Sequence, residues 1–189
     1  MGALMLELCF RELFEWKVMQ TDPNPANYLY ERDTGRLNLL DFGAGRDFSD
    51  EFLGDYIEVI HGAYTSDRDK ILDNSLKLGF LTGEENKEMI NAHYTGVMIV
   101  GEPFRTATSD DTYNFGTADF TEKVVKILPT MSKHRLTPPP QQVYSLHKKV
   151  VGTYLMCIKL KANVPARRIF EETYENWRRL RSGEPLIPR

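Results

Sequence analysis

The sequence predicts a mainly α-helical domain carrying one small β-hairpin, and three observations predict it. Several long stretches repeat apolar residues at helical spacing. Only the segment 28–40 reads as two short β-prone runs around a turn, and no repeat, low-complexity tract or linker divides the 189 residues. A chain of that length suits one domain and buries a core without disulfide or metal staples.

The elements follow in order. From Ala3 to Trp16 apolar residues crowd the chain while Glu7, Arg11 and Glu15 recur every four residues, the pattern of a mostly buried helix with a narrow wet stripe. Tyr28-Leu29-Tyr30 and Arg36 to Leu40 form the hairpin, with Arg32-Asp33-Thr34-Gly35 as its turn. Ser49-Asp50 caps a helix reaching about Tyr64, with Phe52, Tyr56, Ile57 and Ile60 on one face. A further helix begins near Ser66 and carries Ile71, Leu72, Leu76 and Leu78. Thr82 and Glu85 form a capping box that opens a helix running towards Pro103. Arg105 to Asp119 has no sustained period and reads as a surface loop that Tyr113 and Phe115 can anchor.

The next helix, Phe120 to about Arg135, contains Pro129, which should kink or interrupt it. Pro138-Pro139-Pro140 stops it, and helices over Gln141 to Ala162 and Ala166 to Arg181 complete a body of residues 1–183, leaving 184–189 as a frayed tail.

Composition excludes several functions. The formal charge is −3, from 24 basic and 27 acidic residues, so no global field favours nucleic acid or an anionic membrane. The C-terminal arginines interleave with Glu171, Glu172 and Glu175 and read as an ion-paired helix face. Cys9 and Cys157 fall in apolar helical patterns and make neither a disulfide framework nor a zinc spacing, in keeping with a reducing compartment. None of His61, His93, His134 and His147 has metal-ligand spacing. Met1 to Phe10 lacks the basic n-region of a signal peptide, and the apolar run Val150 to Ile158 is about half the ~20 residues a bilayer span needs.

The chemistry concentrates near the front. Asp22 and Asn27 stand five positions apart, and after the hairpin comes Leu39-Leu40-Asp41-Phe42-Gly43. This is the catalytic-loop and metal-binding spacing of a kinase-like phosphotransferase. Such chemistry positions a nucleotide and neutralises its phosphates with Mg²⁺, a hard cation that takes carboxylate and amide oxygens. Asp22 is the candidate catalytic residue, accepting the proton of the attacking hydroxyl or water or orienting it. Asn27 and Asp41 are the candidate metal and cofactor ligands. An antiparallel hairpin sets the entry of its first strand beside the exit of its second, bringing Asn27 and Asp22 close to Asp41. Taken singly, Asp-Phe-Gly and Asp-Pro-Asn-Pro are ordinary loop sequences; their conjunction carries the reading.

Met19 to Asn24, Leu40 to Ala44, Phe80-Leu81-Thr82-Gly83, and His134-Arg135-Leu136-Thr137-Pro138-Pro139-Pro140 with Tyr144 to Lys149 resemble the UbiB, or AarF-domain, atypical kinases. The resemblance runs nearly end to end and is to the mitochondrial branch that supports coenzyme Q (ubiquinone) biosynthesis. It implies a protein-kinase-like fold, ATP and Mg²⁺ as cofactors, the roles given above for Asp22, Asn27 and Asp41, and partners among ubiquinone-making enzymes at the matrix side of the inner mitochondrial membrane. Pro25 and Gln141-Gln142 depart mildly from that branch. The larger departure is at the front: no Gly-rich loop, no Val-Ala-Ile-Lys-like strand and no Lys-x-Gly-Gln extension, and Lys17 is the only lysine before Asp22. The expectation is therefore a kinase-like C-lobe lacking its N-lobe, a fragment or truncated form weakly active or inactive alone. A non-catalytic scaffold for the same enzyme complex and a small-molecule kinase of the aminoglycoside or choline type are the alternatives.

Overall fold

A computed structural model describes residues 1–187; Pro188 and Arg189, the end of the expected frayed tail, lie outside the described residues. Helix α1 (Gly2–Phe14) is the hub. Leu6, Leu13, Phe10 and Phe14 are fully buried on it, and it packs against the last two long helices. Its wet stripe forms as expected, with Arg11 paired to Glu7 at 3.8 Å and Glu15 at 3.0 Å.

Strand β1 (Val18–Gln20) and a 3₁₀ turn (Pro25–Asn27) lead into the hairpin of β2 (Tyr28–Glu31) and β3 (Arg36–Leu39). Tyr28 pairs with Leu39 and Glu31 with Arg36, and Gly35 closes the turn at φ +68°, a conformation that favours glycine. Strand β4 (Gly45–Asp47) returns antiparallel to β1, with Gln20 opposite Gly45. This second strand pair is absent from the sequence reading.

Helix α2 (Asp50–Thr65) begins at Ser49, whose Oγ accepts from the Phe52 amide, and ends at Ser66 in the left-handed region. Helix α3 (Arg68–Lys77) therefore starts later than Ser66, at the Asp67 cap. It packs on α2 through Ile71, while Leu76 faces solvent.

Helix α4 (Lys87–Val100) corrects the expected start at Thr82. The Glu85 carboxylate does accept from the Thr82 amide at 2.8 Å, but the Thr82 hydroxyl bonds locally to Glu84 instead of capping a helix. Asn86 is the cap, its Oδ1 accepting from the Met89 amide at 2.9 Å.

After a 3₁₀ turn (Glu102–Phe104), the predicted loop is pinned by Phe115, by Tyr113 donating to Glu102, and by Arg167 donating to the carbonyls of Thr106 and Ala107. Strand β5 (Tyr113–Asn114) pairs within it to β6 (Asn163–Val164), too short a ladder to leave a sequence pattern.

Helix α5 (Phe120–His134) runs through Pro129 without interruption. The residue four positions earlier, Val125, whose carbonyl the proline leaves without its helical donor, lies on an exposed side of the helix. Helix α6 (Gln141–Lys159) starts directly after the triple proline and stops before the expected Ala162, where Lys161 takes φ +47°. Helix α7 (Ala166–Ser182) carries the ion-paired face, with Arg167 to Glu171 at 2.9 Å and Arg179 to Glu175 at 3.0 Å. Within the described part of the tail, the Ile187 amide donates to buried Asn176 of α7.

The core centres on an aromatic cluster. Phe10, Phe104 and Phe170 meet at 5.2–6.4 Å between centroids, and Phe14 sets its edge on Trp177. Cys9 and Cys157 are buried in α1 and α6 as free thiols, as their apolar settings predict. Among the described residues no helix is long and apolar enough to cross a membrane.

Candidate functional site

The β1–β4 pair and the β2–β3 hairpin bring the polar residues to one edge of the helical body. Thr21 donates from both its amide and its hydroxyl to the Ala44 carbonyl, at 3.1 and 3.0 Å, which ties the loop at Asp22 to the loop after Asp41. The Leu40 amide donates to the Asn27 carbonyl at 3.0 Å and extends the hairpin to the residue before Asp41.

Asn27 is buried and its amide group donates to the Asp22 carboxylate at 3.1 Å and to the Asp22 carbonyl at 3.4 Å. With that end of the amide engaged, its oxygen is the end left for a ligand. Asp22 is half-buried and also meets Lys148 at 3.7 Å, a solvent-screened pair of small energetic weight. Asp41 is exposed, and one of its carboxylate oxygens accepts from the Gly43 amide at 2.7 Å.

Asp22 and Asp41 sit in two separate loops. Gln20 joins them: its side-chain oxygen accepts from the Asp22 amide at 3.1 Å, and its side-chain nitrogen donates to the Asp41 carbonyl at 2.8 Å. One buried amide thus sets the spacing of two loops.

Beneath Gln20 lies a buried ion pair. Lys149 on α6 is 1% exposed and donates to the Gln20 carbonyl and the Tyr28 hydroxyl, both at 2.8 Å, and it faces Glu12 of α1 at 3.1 Å. Glu12 in turn accepts from the Gln20 amide at 3.3 Å. Its other carboxylate oxygen is fully buried and meets only the Lys149 charge. Burial raises the Glu12 pKa, and Lys149 opposes that rise. Burial also disfavours the Lys149 charge, but neighbours including Glu12 and Tyr28 outweigh it, so the ammonium stays protonated. Both backbone groups of Gln20 are therefore held by a charged pair from two different helices.

Gly152, on the next turn of α6, lies against Pro23 so closely that a Cβ there would overlap the proline ring. The Asp22 loop is clamped by α6 at Lys149 and at Gly152.

The oxygens of Asn27 and Asp41 fit the donor preference of Mg²⁺, which takes one or two carboxylate or amide ligands from protein and fills its octahedron with water or phosphate. Among the described residues no cluster of three or more His, Cys, Asp or Glu forms a self-sufficient metal cage. Around this edge Leu29, Leu40 and Phe42 are 51%, 59% and 70% exposed, an open apolar rim beside the polar residues.

Residues 1–75 match the ABC1 atypical kinase-like domain. The mitochondrial atypical kinase COQ8B of Rattus norvegicus is 44% identical over 182 residues, covering 96% of this chain and 34% of that protein. The chain belongs to the UbiB (AarF/ABC1) family of atypical kinases. Within the family, COQ8B of Danio rerio is 46% identical over 93% of this chain and 28% of its own length, and COQ8 of Saccharomyces cerevisiae 38% identical over 90% and 34%. The chain thus spans about a third of the length of these UbiB relatives. A solved structure, the Rv3197–erythromycin complex from Mycobacterium tuberculosis, superposes with a TM-score of 0.64 at 20% identity, over 91% of this chain and 42% of that one, which shows the shared kinase-like fold.

Gln20, Glu12, Tyr28 and Lys149 were not among the expected site residues. Gln20 and Lys149 do fall within the segments that carry the UbiB resemblance, Met19 to Asn24 and Tyr144 to Lys149, and that was their only sequence signal.

Proposed function

We propose that residues 1–183 form the C-terminal, metal-holding lobe of an ATP- and Mg²⁺-dependent atypical kinase or ATPase that supports ubiquinone biosynthesis. The observation that carries this reading is the Asn27 amide donating to the Asp22 carboxylate, with Gln20 tying Asp22 to Asp41. That arrangement leaves the Asn27 oxygen and the Asp41 carboxylate as metal ligands and Asp22 beside them as the group that accepts a proton from, or orients, the attacking hydroxyl or water. Bound Mg²⁺ supplies charge neutralisation of the phosphates. Lys148, at 3.7 Å from Asp22, adds a positive charge at the site's edge.

Nucleotide binds kinases between two lobes, and two protein ligands hold Mg²⁺ only together with phosphate oxygens that need contacts of their own. The exposed rim of Leu29, Leu40 and Phe42 is the kind of surface a second lobe or a nucleotide covers. Turnover by this chain alone is therefore weak or absent. The relatives named mitochondrial support a mitochondrial location, and within it we infer a place at the matrix side of the inner membrane, beside ubiquinone-making enzymes.

A coupled ATPase assay on the pure chain, with Asp41→Asn as control, tests this reading. The expected rate is near background and equal in both proteins; Asp41-dependent turnover contradicts the incomplete-site part of it.

A further inference from the structure

Helices α2, α4, α5 and α6 enclose a cavity of about 200 Å³ whose walls are almost wholly apolar, among them Val59, Val97, Val124, Ile127, Val143 and Leu128. Leu128 is half exposed, so the cavity reaches solvent along α5. A cavity of roughly 150 Å³ holds a benzene ring, so this one admits one ring or a short alkyl segment.

One wall is not apolar. Arg135, just past the end of α5, lines the cavity and is half-buried. Among the described residues its guanidinium has no carboxylate partner, and partial burial lowers its pKa with no anion to offset that loss. The two imidazoles that share the cavity do not supply one. His93 is buried, its Nε2 at 2.8 Å from the Ser75 hydroxyl, and burial pushes its pKa down to about 4. His147 lies against Phe80 and Tyr56, at 5.4 and 6.1 Å between ring centroids. Arg135 is thus the one fixed charge at the edge of an apolar hole. An unpaired, partly desolvated guanidinium costs free energy that a bidentate carboxylate restores.

We propose that this cavity binds a small amphiphilic carboxylate, its alkyl or ring segment among Val97, Val124 and Ile127 and its head on the Arg135 guanidinium. The site is separate from the Asp22, Asn27 and Asp41 residues and does not depend on the phosphotransfer reading.

Calorimetric titration of octanoate, below its micellar concentration, into the full chain tests the proposal. Octyltrimethylammonium serves as the cationic control, and cooperative thermal unfolding qualifies each variant. Saturable one-to-one octanoate binding is expected. Arg135→Gln should weaken it by about tenfold or more, the scale of a charge-assisted hydrogen bond. Arg135→Lys should recover part of the loss, and Val97→Phe, which fills the cavity, should abolish binding. Three results would each overturn the assignment: no saturable binding to the wild type, undiminished binding by a folded Arg135→Gln or Val97→Phe, or equal binding of the cationic amphiphile.

Discussion

Lys149 and Gln20 decide the geometry of the Asp22 loop. Lys149 is buried with three acceptors around it, so Lys149→Met strands the Glu12 carboxylate in the core and should cost about 3–5 kcal/mol in urea unfolding. The double variant Glu12→Gln/Lys149→Met removes both charges and should be distinctly less damaged than the sum of its parts; additive losses would mean the two groups do not interact. Gln20→Ala removes two hydrogen bonds and the link between Asp22 and Asp41, at about 1–3 kcal/mol. The thiols give a simpler check. Burial pushes Cys9 up to about 12 and Cys157 to about 11, so neither should react with a disulfide reagent at neutral pH until the chain unfolds. Asp22 and Asn27 were legible as a pair because five residues and a turn place them together. Lys149 was not, because it bonds to Gln20 from 129 positions away and a buried lysine leaves no periodic trace.

At the level of elements, the helices were legible and their starts were less so. The apolar spacing in α1, α2 and α7 is strong, while a cap depends on which of several nearby polar side chains wins the first free amides. At α4 the sequence reading takes Thr82 as the cap, and the structure gives the role to Asn86, four residues later. Asn86→Ala should cost about 1 kcal/mol of thermal or urea stability. Thr82→Ala, which touches only the loop before the helix, should cost less; the reverse order would restore Thr82 as the cap. The strand pairs β1–β4 and β5–β6 escaped because ladders of three and two residues carry no alternation to read. Yet β1–β4 is what brings the two loops of the candidate site side by side. The contact between Gly152 and Pro23 shows the same limit, since a helical glycine gives no hint of its neighbour. Gly152→Ala should cost about 1–3 kcal/mol through overpacking and displace the loop at Pro23, seen as shifted amide signals from Thr21 to Asn27.

For the whole molecule, the kinase-like helical body was legible because both its periodicity and its motifs are local. Acid sensitivity is a property at this scale. His93 is held neutral by burial, down to about 4, while in the unfolded chain it titrates near 6.5, so the unfolded state binds more protons between those values. Its share of stability is complete above about pH 6.5 and is lost progressively as the pH falls towards 4. His93→Gln should flatten that part of the pH–stability profile; an unchanged slope would place the sensitivity elsewhere. The proposed function makes the edge that bears Asn27 and Asp41, with its exposed rim at Leu29, Leu40 and Phe42, one wall of a nucleotide cleft. The central claim, that this wall holds a metal–phosphate group, is tested most directly by Mn²⁺ with ATP as a paramagnetic probe in amide NMR of the full chain, which detects even weak binding. The account predicts selective broadening of the Asn27 side-chain amide and of the Asp41 and Gly43 backbone signals, lost in Asp41→Asn. Broadening that spares these residues, or persists unchanged in Asp41→Asn, would contradict it.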